Sequence, residues 1–95
     1  MNKKERSKLE IGDLIRFDLS YHTNSEPFNW GGVLRNYDFG IVVDKYWCEV
    51  EKSDMIKIEW VSDDLDSHWC INDEGDSCDW RSTSLLSSSG VNEQA

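Results

Sequence analysis

The hydrophobic rhythm of this chain has a period of two, and that constrains the fold more than any other feature. After Gly12-Asp13, the run Leu14-Ile15-Arg16-Phe17-Asp18-Leu19 alternates, setting Ile15, Phe17 and Leu19 on one face and Arg16 and Asp18 on the other. This is the pattern of a half-buried strand. Gly40 opens Ile41-Val42-Val43-Asp44-Lys45-Tyr46-Trp47, whose β-branched and aromatic side chains suit a pleated surface. Met55-Ile56-Lys57-Ile58-Glu59-Trp60-Val61 alternates again, with Ile56, Ile58 and Trp60 or their neighbours inward. A short strand is expected around Ser67 to Ile71, and a last candidate lies near Ser82 to Leu86. The only helical competitors are the N-terminal decapeptide and the Ser84-Leu85-Leu86 region. Without crossover helices the strands must pair antiparallel. About five short, curved strands hide their edges most economically by closing into a small barrel, so an all-β barrel is the expected fold class.

A chain of 95 residues is one domain. It buries roughly 60–65% of the surface its unfolded form exposes, which leaves little room for an enclosed cleft, and an enzyme is not expected. Residues 11–86 are expected to hold the barrel. Residues 1–10 read as a basic tail or short helix, and residues 87–95 as a flexible tail. No apolar run approaches the roughly 18 residues of a membrane-spanning helix, and no apolar segment follows the basic N-terminus as a signal peptide requires. No membrane association is expected, and an intracellular or virion location fits best. Three cysteines, Cys48, Cys70 and Cys78, form no paired spacing and suit reduced thiols.

The ordered set Ile11-Gly12-Asp13-Leu14-Ile15-Arg16, a long loop, Gly40-Ile41-Val42-Val43, Ile56-Lys57-Ile58-Glu59-Trp60, Trp69 and Ser84-Leu85-Leu86 resembles the small SH3-like, KOW- or Tudor-like barrels encoded by tailed bacteriophages. The resemblance spans roughly residues 11 to 86. It implies an antiparallel SH3-like barrel of about five strands with disordered or extended termini. It further implies a viral or cellular adaptor role and brings no catalytic residues. The chain departs from the KOW pattern in being acidic, where nucleic-acid-binding members are usually basic.

The net charge is −9, and the acidity gathers in the C-terminal half at Asp63, Asp64, Asp66, Asp73, Glu74, Asp76 and Asp79. Such a surface repels phosphate backbones, so direct nucleic-acid binding is disfavoured. Two readings of it stand side by side: a solvated face that keeps the chain soluble, and a face that imitates nucleic acid or steers onto a basic partner. The stretch Ser20 to Phe39, read as one long loop, holds Tyr21, His22, Phe28, Trp30 and Tyr37 around Pro27 and Gly31-Gly32. Its aromatics either fold back to plug the barrel, make a flat contact with another subunit, or clamp a peptide or a methylated cation. The partner-binding candidates are therefore Tyr21, Phe28, Trp30, Tyr37, Asp63, Asp64, Asp66 and Asp73.

Other chemistry is poorly supplied. Asn72-Asp73-Glu74-Gly75-Asp76 is rich in oxygen ligands, but an EF-hand loop in that frame needs an acid where Cys70 stands. Cys48, Cys70, Cys78, His22 and His68 lack the close pairs of structural zinc sites. Cys70 with His68 is the one suggestive thiol and base, and neither a nucleophile turn nor a phosphate-cradling loop accompanies it. No catalytic residue, metal or cofactor is expected. The expected function is a non-enzymatic protein-interaction module, foremost a phage virion accessory at the capsid, neck or tail. The alternatives are an acidic inhibitor of a host nucleic-acid-handling protein and a peptide-binding module.

Overall fold

The computed structural model describes residues 1–21, 26–71 and 78–87. Helix α1 (Lys3–Ser7) precedes strand β1 (Leu14–Asp18) and a 3-10 turn at Leu19–Tyr21. There follow β2 (Phe28–Trp30), β3 (Val33–Arg35), β4 (Tyr37–Cys48), β5 (Ser53–Trp60), β6 (His68–Cys70), helix α2 (Cys78–Arg81) and β7 (Thr83–Ser87). The main sheet has five strands in the order β6-β5-β4-β1-β7, and its neighbours all pair antiparallel. A meander of three strands is flanked by the first strand, and the last strand closes on the first. This is the strand order of a small SH3-like barrel.

The alternation in β1 does what its sequence predicts. Ile15 and Phe17 are buried while Leu14, Arg16 and Asp18 face outward. Their cross-strand partners Gly40 and Asp38 are buried as well, so one face of β1 and β4 belongs to the core. Val42, Ile56 and Ile58 are wholly enclosed and join Leu9, Phe28, Trp69, Ile71 and Trp80 in a single cluster. Phe17 stands at its centre, edge-on to Phe28, Trp60 and Trp69. Each such large side chain contributes about 1.5–3 kcal/mol through burial, and the perpendicular ring contacts add a smaller increment.

β4 runs for 12 residues and begins at Tyr37, three residues before the expected start at Gly40. Its pairing with β5 shifts register between Val42 and Asp44, and such a bulge bends a strand enough for it to serve both halves of a barrel. Gly40, two residues before that shift, is opposite Trp60 on β5. A Cβ there would lie 2.6 Å from Ile58 Cγ2 and 2.6 Å from Trp60 Cε3, so the backbone approaches the core closely at this point.

The stretch from Ser20 to Phe39 is not one structureless loop. Phe28–Trp30 and Val33–Arg35 pair as a hairpin turned by Gly31 and Gly32, both at positive φ (57° and 92°). A two-residue turn of this kind demands glycine or asparagine, which explains the Gly-Gly pair. The Asn29 side chain accepts the Gly32 N–H at 2.7 Å and tightens it. The N-terminal decapeptide carries helix α1, started by a capping box between Asn2 and Glu5, and it is docked rather than trailing. Leu9 is buried in the core, Arg6 Nε donates to the Ile71 carbonyl at 2.6 Å, and the Arg6 guanidinium lies 5.4 Å from the centre of the Trp80 ring. Trp80 Nε1 donates in turn to the Cys70 carbonyl at 2.9 Å. The carbonyls of Cys70, the last residue of β6, and of Ile71 just beyond it are thus capped by side chains from α1 and α2.

The close approach at Gly40 sets a test. Gly40→Ala should destabilise the fold by about 1–3 kcal/mol through overpacking, read as a lower urea midpoint. An unchanged midpoint would show that Trp60 and Ile58 move aside freely.

Candidate functional site: an anchored acidic turn

Counting back from Gly40 and Val42 in steps of two puts Asp38 on the inward face of β4, where an apolar residue is the rule. Asp38 has no exposed surface. A buried carboxylate is tolerated only with its acceptor sites filled, and here they are. Oδ1 accepts the Trp30 indole N–H at 2.9 Å and the Phe39 backbone N–H at 2.9 Å. Oδ2 accepts the Ser62 hydroxyl at 2.8 Å, and the Ser62 backbone N–H lies 3.3 Å from each oxygen. One side chain therefore ties the β2–β3 hairpin, through Trp30, to the turn between β5 and β6, through Ser62.

That turn, residues 61–67, carries three of the acidic candidates. Asp63 and Asp64 are exposed, and the Asp64 N–H donates to the Ser62 hydroxyl at 3.3 Å. Asp66 is exposed too, and its carboxylate accepts the His68 N–H at 3.2 Å. Its carbonyl receives two indole N–H groups, from Trp60 at 3.1 Å and from Trp69 at 2.7 Å. A groove of about 370 Å³ beside the turn is lined by Trp60, Ser62, Asp63, Leu65 and neighbouring residues of β5. The acidic residues of the turn therefore project from a backbone fixed at Ser62 and at Asp66 by buried or half-buried partners.

The aromatic candidates take different places. Phe28 is a core residue, 3% exposed and edge-on to Phe17, so its expected role as a partner contact is corrected: its ring plugs the barrel. Trp30 and Tyr37 are half-buried and pack with Phe39 in a cluster whose ring centres lie 5.2 to 5.5 Å apart. The chain's own cations already sit over these rings, Arg16 at 4.6 Å from the Tyr37 centre and Arg35 at 5.9 Å from that of Trp30. The π faces that a methylated cation would need are in part occupied from within. Tyr21 belongs to the 3-10 turn, its side chain lies outside the described residues, and so does Asp73.

Arg16 also pairs with Asp18 at 3.1 Å, and the Ser20 N–H donates to that carboxylate at 3.0 Å. The hydrogen bond from Ser20 is the main cause holding the Asp18 carboxyl below its ordinary value of 3.8, with the Arg16 charge adding to it. A lowered carboxyl contributes stability above the unfolded value that is lost as pH falls through the folded one.

His68 and Cys70 flank the buried Trp69 on one face of β6, as residues two apart on a strand do. Each engages a different neighbour. His68 Nδ1 meets the Tyr46 hydroxyl at 2.8 Å, and Cys70 Sγ shares a hydrogen bond with Ser53 Oγ at 2.7 Å. No thiol and base are assembled here. Among the described residues no group of three or more His, Cys, Asp or Glu side chains is placed to hold a metal ion. No helix among them is long and apolar enough to cross a membrane. The oxygen-rich stretch Asn72 to Asp76 and His22 lie outside the described residues.

Two measurements check this site. Asp38→Ala should lower stability by more than about 3 kcal/mol, since several buried donors lose their acceptor at about 1–3 kcal/mol each. Ser62→Ala should cost less, and a reversed order in urea melts would show that Asp38 is not the anchor. The stability gap between the parent chain and Asp18→Asn should be open at neutral pH and close as pH drops below the ordinary carboxyl value of 3.8. A gap independent of pH would remove the charge from that role.

Comparison with protein-family models, with curated proteins and with solved structures finds no match to this chain.

Proposed function

We propose that this chain is a non-enzymatic protein-interaction module, a small SH3-like adaptor that presents the acidic turn 61–67 to a basic protein surface. The observation that carries the reading is the anchoring of Asp63 and Asp64. They are exposed, yet their backbone is held by a buried carboxylate at one end and by two indoles at the other. A surface already held in its binding conformation loses little entropy on association, and clustered charge of one sign speeds encounter with a partner of the other.

The setting we propose is a phage virion, with the barrel as an accessory on a larger capsid, neck or tail protein. That setting rests on the resemblance of the ordered sequence elements to phage-encoded barrels. The second reading is an inhibitor in which carboxylates imitate the phosphates of a nucleic acid on a host protein, and the net charge of −9 favours it. Mass spectrometry of purified particles separates the two. A fixed copy number per particle supports the accessory role, and absence from particles removes it.

Under either reading, replacing Asp63 and Asp64 together by Asn should weaken partner binding by roughly 3- to 30-fold at low salt, the effect of losing two exposed ion pairs. The difference should shrink as salt rises. Affinity unchanged at low salt would exclude the turn as the docking element.

A further inference from the structure

An antiparallel sheet that faces water normally turns polar side chains outward, and this sheet does not at the Leu14–Ile41 end of the junction of β1 and β4. Leu14 and Ile41 stand directly opposite each other in the β1–β4 register, and both point outward, 37% and 42% exposed. Ile11 precedes Gly12, whose N–H donates to the Val42 carbonyl at 2.7 Å and so joins this segment to β4, and it is 57% exposed. On the other side of Leu14 the pairing with β7 slips by one residue, and the residue left over there is Leu86, 45% exposed. Leu14, Ile41 and Leu86 thus stand on three adjoining strands, with Ile11 on the segment that leads into the first of them. Gathered apolar exposure of this kind marks a contact surface, whereas scattered single residues do not.

The charges around the seam say what kind of surface it meets. Glu59 is exposed directly across from Ile41 in the β4–β5 register, and Glu10 is exposed beside Ile11. The cation nearest the seam on β1, Arg16, is already bonded to Asp18 at 3.1 Å. An aliphatic centre with an acidic rim, on a chain of net charge −9, is the wrong complement for a second copy of itself. A twofold contact would bring two acidic rims together, and like charges across an interface are costly.

We infer that the seam of Ile11, Leu14, Ile41 and Leu86 is a second docking surface, one that takes a protein partner with an aliphatic centre and a lysine or arginine rim. It is distinct in chemistry from the acidic turn, since its affinity comes from aliphatic burial and the charges select the partner. A module with two such surfaces bridges two proteins or grips one across a wider area.

The test uses the full isotope-labelled chain and two synthetic peptides of alternating sequence, one Leu-Lys and one Leu-Glu, with chemical shifts read residue by residue. The Leu-Lys peptide should produce saturable shifts at Leu14, Arg16, Ile41 and Glu59 and should bind about 10-fold or more tighter than Leu-Glu. Ile41→Lys should abolish those shifts, and replacing Asp63 and Asp64 by Asn should leave them in place, which keeps this surface separate from the turn. Shifts confined to residues 61–67, equal binding of the two peptides, or a dimer of the chain alone in sedimentation equilibrium would each overturn the proposal. Should Ile41→Lys fail to fold, the shift map and the peptide contrast on the parent chain decide the matter.

Discussion

The buried Asp38 carboxylate is the interaction on which the upper part of this barrel depends. It stands where β4 would otherwise place an apolar side chain, and neutral donors from three places surround it: the Trp30 indole, the Phe39 backbone and both donors of Ser62. In a low-dielectric interior such bonds are strong when complete and costly when broken. The hairpin and the acidic turn are each too short to bury much on their own, and they acquire fixed positions by sharing this one acceptor. Candidate docking features that are far apart in sequence therefore have a common structural origin.

A small barrel has few residues to spend on a core, and this one spends aromatics. Phe17, Phe28, Trp60, Trp69 and Trp80 meet edge to face in a connected set. Rings fill a curved space efficiently, but each indole brings an N–H that must be satisfied. The solutions are reused as construction. Trp60 and Trp69 donate to the Asp66 carbonyl and hold the turn, Trp30 donates to Asp38, and Trp80 donates to the Cys70 carbonyl at the end of β6. The polar needs of the core thus determine which surface segments are rigid.

Much of the sheet was legible because two-residue alternation maps directly onto inward and outward faces. Ile15, Phe17, Ile56 and Ile58 lie inside as their positions require. The hairpin was not legible as such: β2 and β3 have three residues each, too few to show a period, and the informative signal was Gly31-Gly32. Extending the alternation of β4 backward would have put Asp38 inside, yet a carboxylate between two aromatics reads first as a surface residue. Nothing in the order of residues shows that Phe28 is core while Trp30 and Tyr37 are half-buried beneath Arg35 and Arg16. The seam of Leu14 and Ile41 was hidden for a related reason, because an aliphatic residue next to an alternating run looks like more core.

What the amino-acid order determined alone was the class of fold, since a strand's side chains must alternate and no crossover helix was available to make the sheet parallel. It also determined the sign of the surface, because with nine more acidic than basic side chains most carboxylates must face water. Only the tertiary structure decided which carboxylate goes inside, which aromatics remain at the surface and which aliphatic residues face water. Those outcomes depend on strand register, and register brings together residues such as Asp38 and Ser62, or Leu14 and Ile41, that are 24 and 27 positions apart. Burial and hydrogen bonding act across that distance in space, where a local pattern carries no record of them.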